Sequence, residues 1–259
     1  MDLGLLDTNV ILDDYYEKRD RHQPVLQFVK KFRYGELGHT NSVFKECVNV
    51  LTGALTEFSM VINNEIMAKS RGGADWDKLR LEKKEDIVKN ARENVEKTPE
   101  KYKGSAPFLL SLFDLYSNSI AALSEQEIRE LSLNSIDALV GAFANYLKAR
   151  FAPINNYSSE EDSSKDTAKK IQSVLDNVFQ KPYDTWDMKI TFDILIISAF
   201  RHERKEKYGH ITFYTADARF LGILQELKRE INNSGGSNYI CCSDELSFEN
   251  PYIEKTPST

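Results

Sequence analysis

Cysteine is scarce: the 259-residue chain holds only Cys47, Cys241 and Cys242, two of them adjacent and none at a metal-ligand spacing. That excludes a disulfide-built scaffold and a zinc ribbon, and it points to a reducing, cytoplasmic compartment. No run approaches the ~18 consecutive apolar residues of a membrane span, so no membrane association is expected. Met1-Asp2-Leu3 lacks the basic start and the cleavage site of a secretory leader. The histidines, His22, His39, His202 and His210, have neither metal spacing nor a matching nucleophile, and Gly72-Gly73 and Gly235-Gly236 do not make a phosphate loop. Positive charge is also short. Lys and Arg number 34 against 40 Asp and Glu, and the net charge of −6 argues against a protein held to nucleic acid by overall charge alone. Lys30-Lys31-Phe32-Arg33, Lys83-Lys84 and Arg201-His202-Glu203-Arg204-Lys205 are local basic clusters, each of which reads by itself as a solvated helix face.

What is present is a chain with 41% hydrophobic residues, enough for a real core. At about 150 residues per domain, its length allows one large domain or one domain with an elaborate insertion. Residues 3 to 7 read as a buried strand that turns through small polar residues. Helical spacing follows over 22 to 34, then a break at Gly35 to His39 that admits a short strand, then a long helix capped by Asn41 or Ser42. Residues 75 to 103 are dense in charge and read as an exposed helix. Residues 107 to 131 are amphipathic, and 134 to 150 form a helix opened by Asn134 or Ser135. A polar linker covers 153 to 165, and a further helix 166 to 180. An apolar helix then spans 187 to 203, a strand 211 to 214, a helix 218 to 231, a turn 234 to 237 and a last strand 239 to 242. Strands alternating with helices predict the α/β class with a parallel sheet.

Four apolar segments each carry an acid. Asp7 ends the first strand, and an acid at the carboxyl edge of a parallel strand faces the crevice where α/β proteins bind ligands. Glu46 lies at the edge of the stripe made by Val43, Cys47, Val50 and Ala54; it either needs a partner or cation there or simply reaches solvent. Asp193 sits among Ile190, Ile196, Ile197 and Phe200. It is either a buried acid, which is rare unless paired or metal-bound, or a first-turn acid of a helix that starts near Thr191. Asp217 follows the strand 211 to 214 and reads as a cleft residue, a helix N-cap, or both. Asp137 competes with Asp193, although first-turn placement after Asn134-Ser135 explains it without chemistry. Cys47 is most simply a small core residue.

Taken in order, Leu5-Leu6-Asp7-Thr8-Asn9-Val10, Ser42 with Glu46, Asp193-Ile194-Leu195-Ile196-Ile197-Ser198-Ala199, and Thr215-Ala216-Asp217-Ala218-Arg219-Phe220 resemble the PIN-domain nucleases. The resemblance covers about 1 to 55 and 187 to 242. It implies a three-layer α/β/α fold around a central parallel sheet, and metal-dependent endoribonuclease activity on RNA with magnesium or manganese. It also implies that Asp7, Glu46, Asp193 and Asp217 are the catalytic, metal-binding acids, with Thr8, Asn9 and Thr215 as polar support. Physical chemistry agrees on the metal: clustered carboxylates repel one another, and hard oxygen ligands suit these two ions. The chain is longer than a typical family core. Residues 1–55 and 187–259 are therefore read as the core, and 56–186 as a mainly helical insertion able to select substrate, mediate dimerisation or bind a partner protein. The alternatives are a catalytically inactive relative that serves as an RNA-binding or assembly module, and a magnesium phosphotransferase. The latter is disfavoured because Asp7-Thr8-Asn9 lacks the second Asp, two residues on, of haloacid-dehalogenase-like phosphatases.

Overall fold

The computed structural model describes residues 2–16, 19–32, 35–70, 75–102, 105–154, 169–173, 175, 185–204, 210–233 and 246–253. Five strands make one parallel sheet: β1 (Asp2–Leu6), β2 (Gly35–His39), β3 (Ala152–Pro153), β4 (Ile211–Tyr214) and β5 (Leu246–Glu249), in the order β3-β2-β1-β4-β5. The helices are α1 (Thr8–Tyr15), α2 (His22–Lys31), α3 (Asn41–Ser70), α4 (Leu81–Lys97), α5 (Ala106–Ile120), α6 (Glu125–Arg150), α7 (Thr185–Arg204) and α8 (Ala218–Asn233). The protein is thus α/β, as the alternation of patterns predicts. No helix among the described residues is long and apolar enough to cross a membrane.

Strand β1 is central, and its Leu3, Leu5 and Leu6 are buried, the continuous apolar run of a strand covered on both faces. The sheet is packed on both sides. Tyr214 of β4 meets Phe28 and Phe32 from the α2 side, and Phe213 meets Phe220 of α8. At the start of β2, glycine is a packing requirement. A Cβ on Gly35 would stand 2.4 Å from the Asp2 carbonyl oxygen and 2.5 Å from the Phe32 ring. Gly35→Ala should therefore lower the unfolding free energy by roughly 2 kcal/mol, the scale of overpacking. A urea midpoint equal to wild type would contradict that close approach.

The chain divides into two compact units: residues 1–47 with 146–259, which hold the sheet, and 48–145, which are helical. The sequence reading draws its boundaries instead at 55/56 and 186/187. Residues 146–154 fall with the sheet unit because β3 pairs with β2, Gly38 opposite Ala152. The helical unit has its own core, in which Phe58, Trp76, Ala91, Val95 and Phe113 are fully or almost fully buried. The charged stretch 75 to 103 is therefore not simply an exposed helix. Its Ile87, Val88, Ala91 and Val95 recur at helical spacing and line one buried face of α4.

Two further expectations change. The chain does not turn after Asp7; α1 starts at once, because the Asp7 side chain caps it and Val10 and Ile11 bury its inner face. Helix α6 opens at Ser124, not at Asn134. Ser124 and Glu127 form a reciprocal capping box at 2.7 and 3.2 Å, a Ser-x-x-Glu signal present in the sequence. Of the helix expected over 166 to 180, residues 169–173 and 175 are described and helical. The linker beyond Ile154, the turn 234 to 237 and the strand 239 to 242 lie outside the described residues. The described strand that follows α8 is β5.

A clasp of acids holds α1. Asp14, buried, accepts from Arg150 Nη2 at 2.7 Å and from Arg150 Nε and the Tyr146 hydroxyl; its neighbour Asp13 pairs with Arg19 at 3.0 Å and accepts from the Tyr252 hydroxyl at 2.8 Å. Removing one partner of a fully buried pair costs about 3–5 kcal/mol because the other charge stays buried. Arg150 is partly solvated, so Arg150→Ala is expected to cost roughly 2 kcal/mol, with Arg150→Lys recovering part of it; a loss under ~0.5 kcal/mol on denaturation would mean that solvent compensates Asp14.

Candidate functional site

The carboxyl ends of β1 and β4 lie side by side, Leu6 opposite Tyr214, so the loops that leave them meet. Asp7 leaves β1 in extended conformation and its Oδ1 accepts from the Thr8 amide at 2.8 Å. Its Oδ2 accepts from the Thr215 hydroxyl at 2.6 Å and from Asn9 Nδ2 at 2.8 Å. Asn9 Oδ1 in turn accepts from the Ala216 amide at 3.0 Å, and Thr215 Oγ1 accepts from the Asp217 amide at 3.1 Å. The two motifs that follow β1 and β4 are therefore cross-clamped, with Asp7 at the centre.

Glu46 approaches from α3. Its Oε2 accepts from the Thr8 hydroxyl, so its anchor is the residue next to Asp7. Asp193 reaches the same helix from α7: its Oδ2 accepts from the Ser42 amide at 3.0 Å, one turn ahead of Glu46. A helix N-terminus favours an acceptor with negative charge, which gives this buried acid a physical partner. Helix α7 starts at Thr185, so Asp193 lies more than two turns inside it and is not a first-turn acid. Asp217 is the N-cap of α8, its Oδ1 accepting from the amides of Arg219 at 2.8 Å and Phe220 at 3.0 Å. Asp137 is exposed on α6 in the helical unit.

The sheet unit thus brings Asp7 and Glu46 together through Thr8, sets Asp193 on the same first turns of α3, and ties the Asp217 backbone to the Asp7 clamp through Thr215. Among the described residues, no three acids, imidazoles or thiols are gathered into a ready-made metal cluster.

One acid was missed. Asp187, in the first turn of α7 and buried, pairs with Arg219 at 2.8 Å. Burial above all, with the charges of Glu46 and Asp187, raises the Asp7 carboxyl against the opposing Thr215 and Thr8 hydrogen bonds, to a net value of about 7. The sequence signal for Asp187 was its place six residues ahead of Asp193 on one apolar helix, where it had served only as a helix boundary. Arg219 was missed as well, although it lies inside the motif that follows β4. Cys47 is a buried core thiol, pushed up by burial and the neighbouring Glu46 charge, and is no nucleophile.

No model of a known family matches this chain, and neither a curated protein nor a solved structure does.

Proposed function

We propose that the sheet unit is a PIN-like, metal-dependent endoribonuclease. Asp7, Glu46, Asp193 and Asp217 are its acids, and magnesium or manganese is its cofactor. The observation that supports this is the Asp7 clamp. The first turn of α1 and the segment after β4 aim three donors at a buried carboxylate whose charge is already opposed by its neighbours. Asp7 caps α1 and joins the two motifs, yet its burial and the repulsion of its neighbours oppose its charge. A cation held there would offset both.

The donor chemistry fits the ion: Asp7, Glu46 and Asp193 offer hard oxygens, and a divalent cation offsets the repulsion felt at Asp7. When bound, the ion supplies stabilisation of charge on the phosphate and a water of lowered pKa. The chain supplies orientation. Thr215 and Asn9 hold Oδ2 of Asp7, the Ser42 amide holds Asp193, and the cap bonds fix Asp217 at the start of α8. Arg219, tied at one nitrogen to Asp187 and 59% exposed, presents a guanidinium suited to a phosphodiester oxygen.

A second reading, the same fold without catalysis, is favoured by one observation: among the described residues no three acids, imidazoles or thiols are gathered. Incubation of the full chain with labelled single-stranded and hairpin RNA, in magnesium, manganese or EDTA, separates the two. Cleavage that needs either ion is the expected result. Absence of cleavage on every substrate, with no manganese-dependent rise in melting temperature, would leave the non-catalytic reading.

A further inference from the structure

We infer that a pocket of about 550 Å³ at the ends of β4 and β5 binds an unpaired nucleobase. The inference rests on the RNA-directed reading above. Its volume lies within the range of small-ligand sites, about 300–1,000 Å³. It shares a strand end with Asp7, whose amide donates to the Tyr214 carbonyl at 3.0 Å. Tyr214, which lines it, immediately precedes Thr215, and the Thr215 amide donates to the Glu249 carbonyl, also of the lining, at 3.0 Å. β4 ends at Tyr214, which lines the pocket, and the next residue, Thr215, gives its hydroxyl to Asp7.

The walls are aromatic and held in place. The Phe28 and Tyr214 rings stand edge to face with centroids 4.7 Å apart. The Tyr252 ring is fixed at its hydroxyl by Asp13, 2.8 Å away, and the Arg21 guanidinium lies 5.5 Å from its centroid. Burial, then the Glu249 charge, pushes the Tyr214 phenol up to about 12, so it stays a neutral donor. Around these rings the lining carries the Gln27 amide, the Lys31 ammonium and the Glu249 carboxylate. One cation and one anion do not make a phosphate site. A lining that joins Phe28, Tyr214 and Tyr252 to an amide and a carboxylate matches a planar, neutral heterocycle with donors and acceptors on its edge. Single-stranded RNA offers such groups, its bases splayed out and stacked on aromatic side chains. The pocket then holds the base of a nucleotide beside the scissile phosphate, and selects unpaired over duplex RNA.

The test uses the full chain in EDTA, so that binding is read without cleavage. The probes are adenosine and uridine 5′-monophosphate, ribose 5-phosphate and inorganic phosphate, followed by the aromatic side-chain resonances. The nucleotides are expected to shift the pocket resonances and the two base-free probes to leave them unmoved. Tyr252→Ala should weaken nucleotide binding about tenfold and Tyr252→Phe should retain it. Gln27→Ala, at an exposed position that leaves folding intact, should change the preference between the two bases. A photo-reactive 4-thiouridine in single-stranded RNA should crosslink to the peptides of this lining. Equal binding of ribose 5-phosphate, or unchanged affinity in both Tyr252→Ala and Gln27→Ala, overturns the inference. So does capture of a proline-rich peptide without any nucleotide. Nucleotide binding in a chain that cleaves nothing would leave the pocket standing and remove the nuclease reading. Ion-dependent cleavage with an empty pocket would do the reverse.

Discussion

Asp7→Asn is expected to lower the rate of ion-dependent RNA cleavage by about 10³-fold or more, equivalent to ~4 kcal/mol of transition-state stabilisation. The substitution keeps the shape of the side chain and removes its charge. The amide oxygen can keep the Thr215 hydroxyl and Asn9 Nδ2 while the NH2 group faces the Thr8 amide, so one of the three bonds is lost; Asn9 still holds the Ala216 amide, and the motifs after β1 and β4 stay joined while the site loses the acid at its centre. Glu46→Gln should cost a similar factor, and the double variant little more than either alone, because groups that act as one unit are not additive. Asp137→Asn, on the exposed face of α6, is expected to cleave as wild type does. The measurement is single-turnover cleavage of the best RNA substrate, with circular dichroism to confirm folding. Equal rates for wild type and Asp7→Asn would remove the nuclease reading.

The second large effect is on stability, and its sign follows from the direction of the Asp7 shift. Its carboxyl is raised from 3.8 to about 7 in the folded protein. A group whose folded value lies above its unfolded one binds its proton more tightly when folded. The contribution is therefore fully present below about pH 4 and is lost as pH rises through about 7. The gap amounts to at most about 4 kcal/mol, and in a chain of this size that is a melting-temperature difference on the order of 10 °C. In EDTA, wild type should lose stability between pH 4 and 7 more steeply than Asp7→Asn. Manganese should recover the loss at pH 7 in wild type and not in the variant, because the ion binds the charged form that burial disfavours. Parallel pH profiles for the two proteins in EDTA would show that Asp7 carries no such strain. A manganese response that survives Asp7→Asn would place the ion elsewhere.

Much of the framework was legible because it is local. The apolar run at Leu3 to Leu6 announced a buried central strand, and the β-rich run 211 to 214 announced its neighbour. The N-cap reading of Asp217 rested on the polar residues between that strand and the next helix, and the cap is there. What was misjudged was also local, but weak. The charge of 75 to 103 masked four apolar residues at helical spacing, and the Ser124-x-x-Glu127 box was passed over for Asn134-Ser135, which lie inside α6.

By itself the sequence determined the α/β alternation, the placing of Asp7 and Thr215 at strand ends, and the helices that carry Glu46 and Asp193. Spacing reports on neighbours a few residues apart, and these features need nothing more. The tertiary structure alone decided the pairings. Thr215 reaches Asp7 across 208 residues of sequence, Asp193 reaches Ser42 across 151, and Arg150 reaches Asp14 across 136. It alone showed the buried Asp193 held by the Ser42 amide and Asp187 paired with Arg219. The physical reason is that a carboxylate's surroundings, whether water, a helix N-terminus or another acid, are created when strands far apart in the chain align. Those surroundings raise Asp7 to about 7, and no pattern within its own segment contains them.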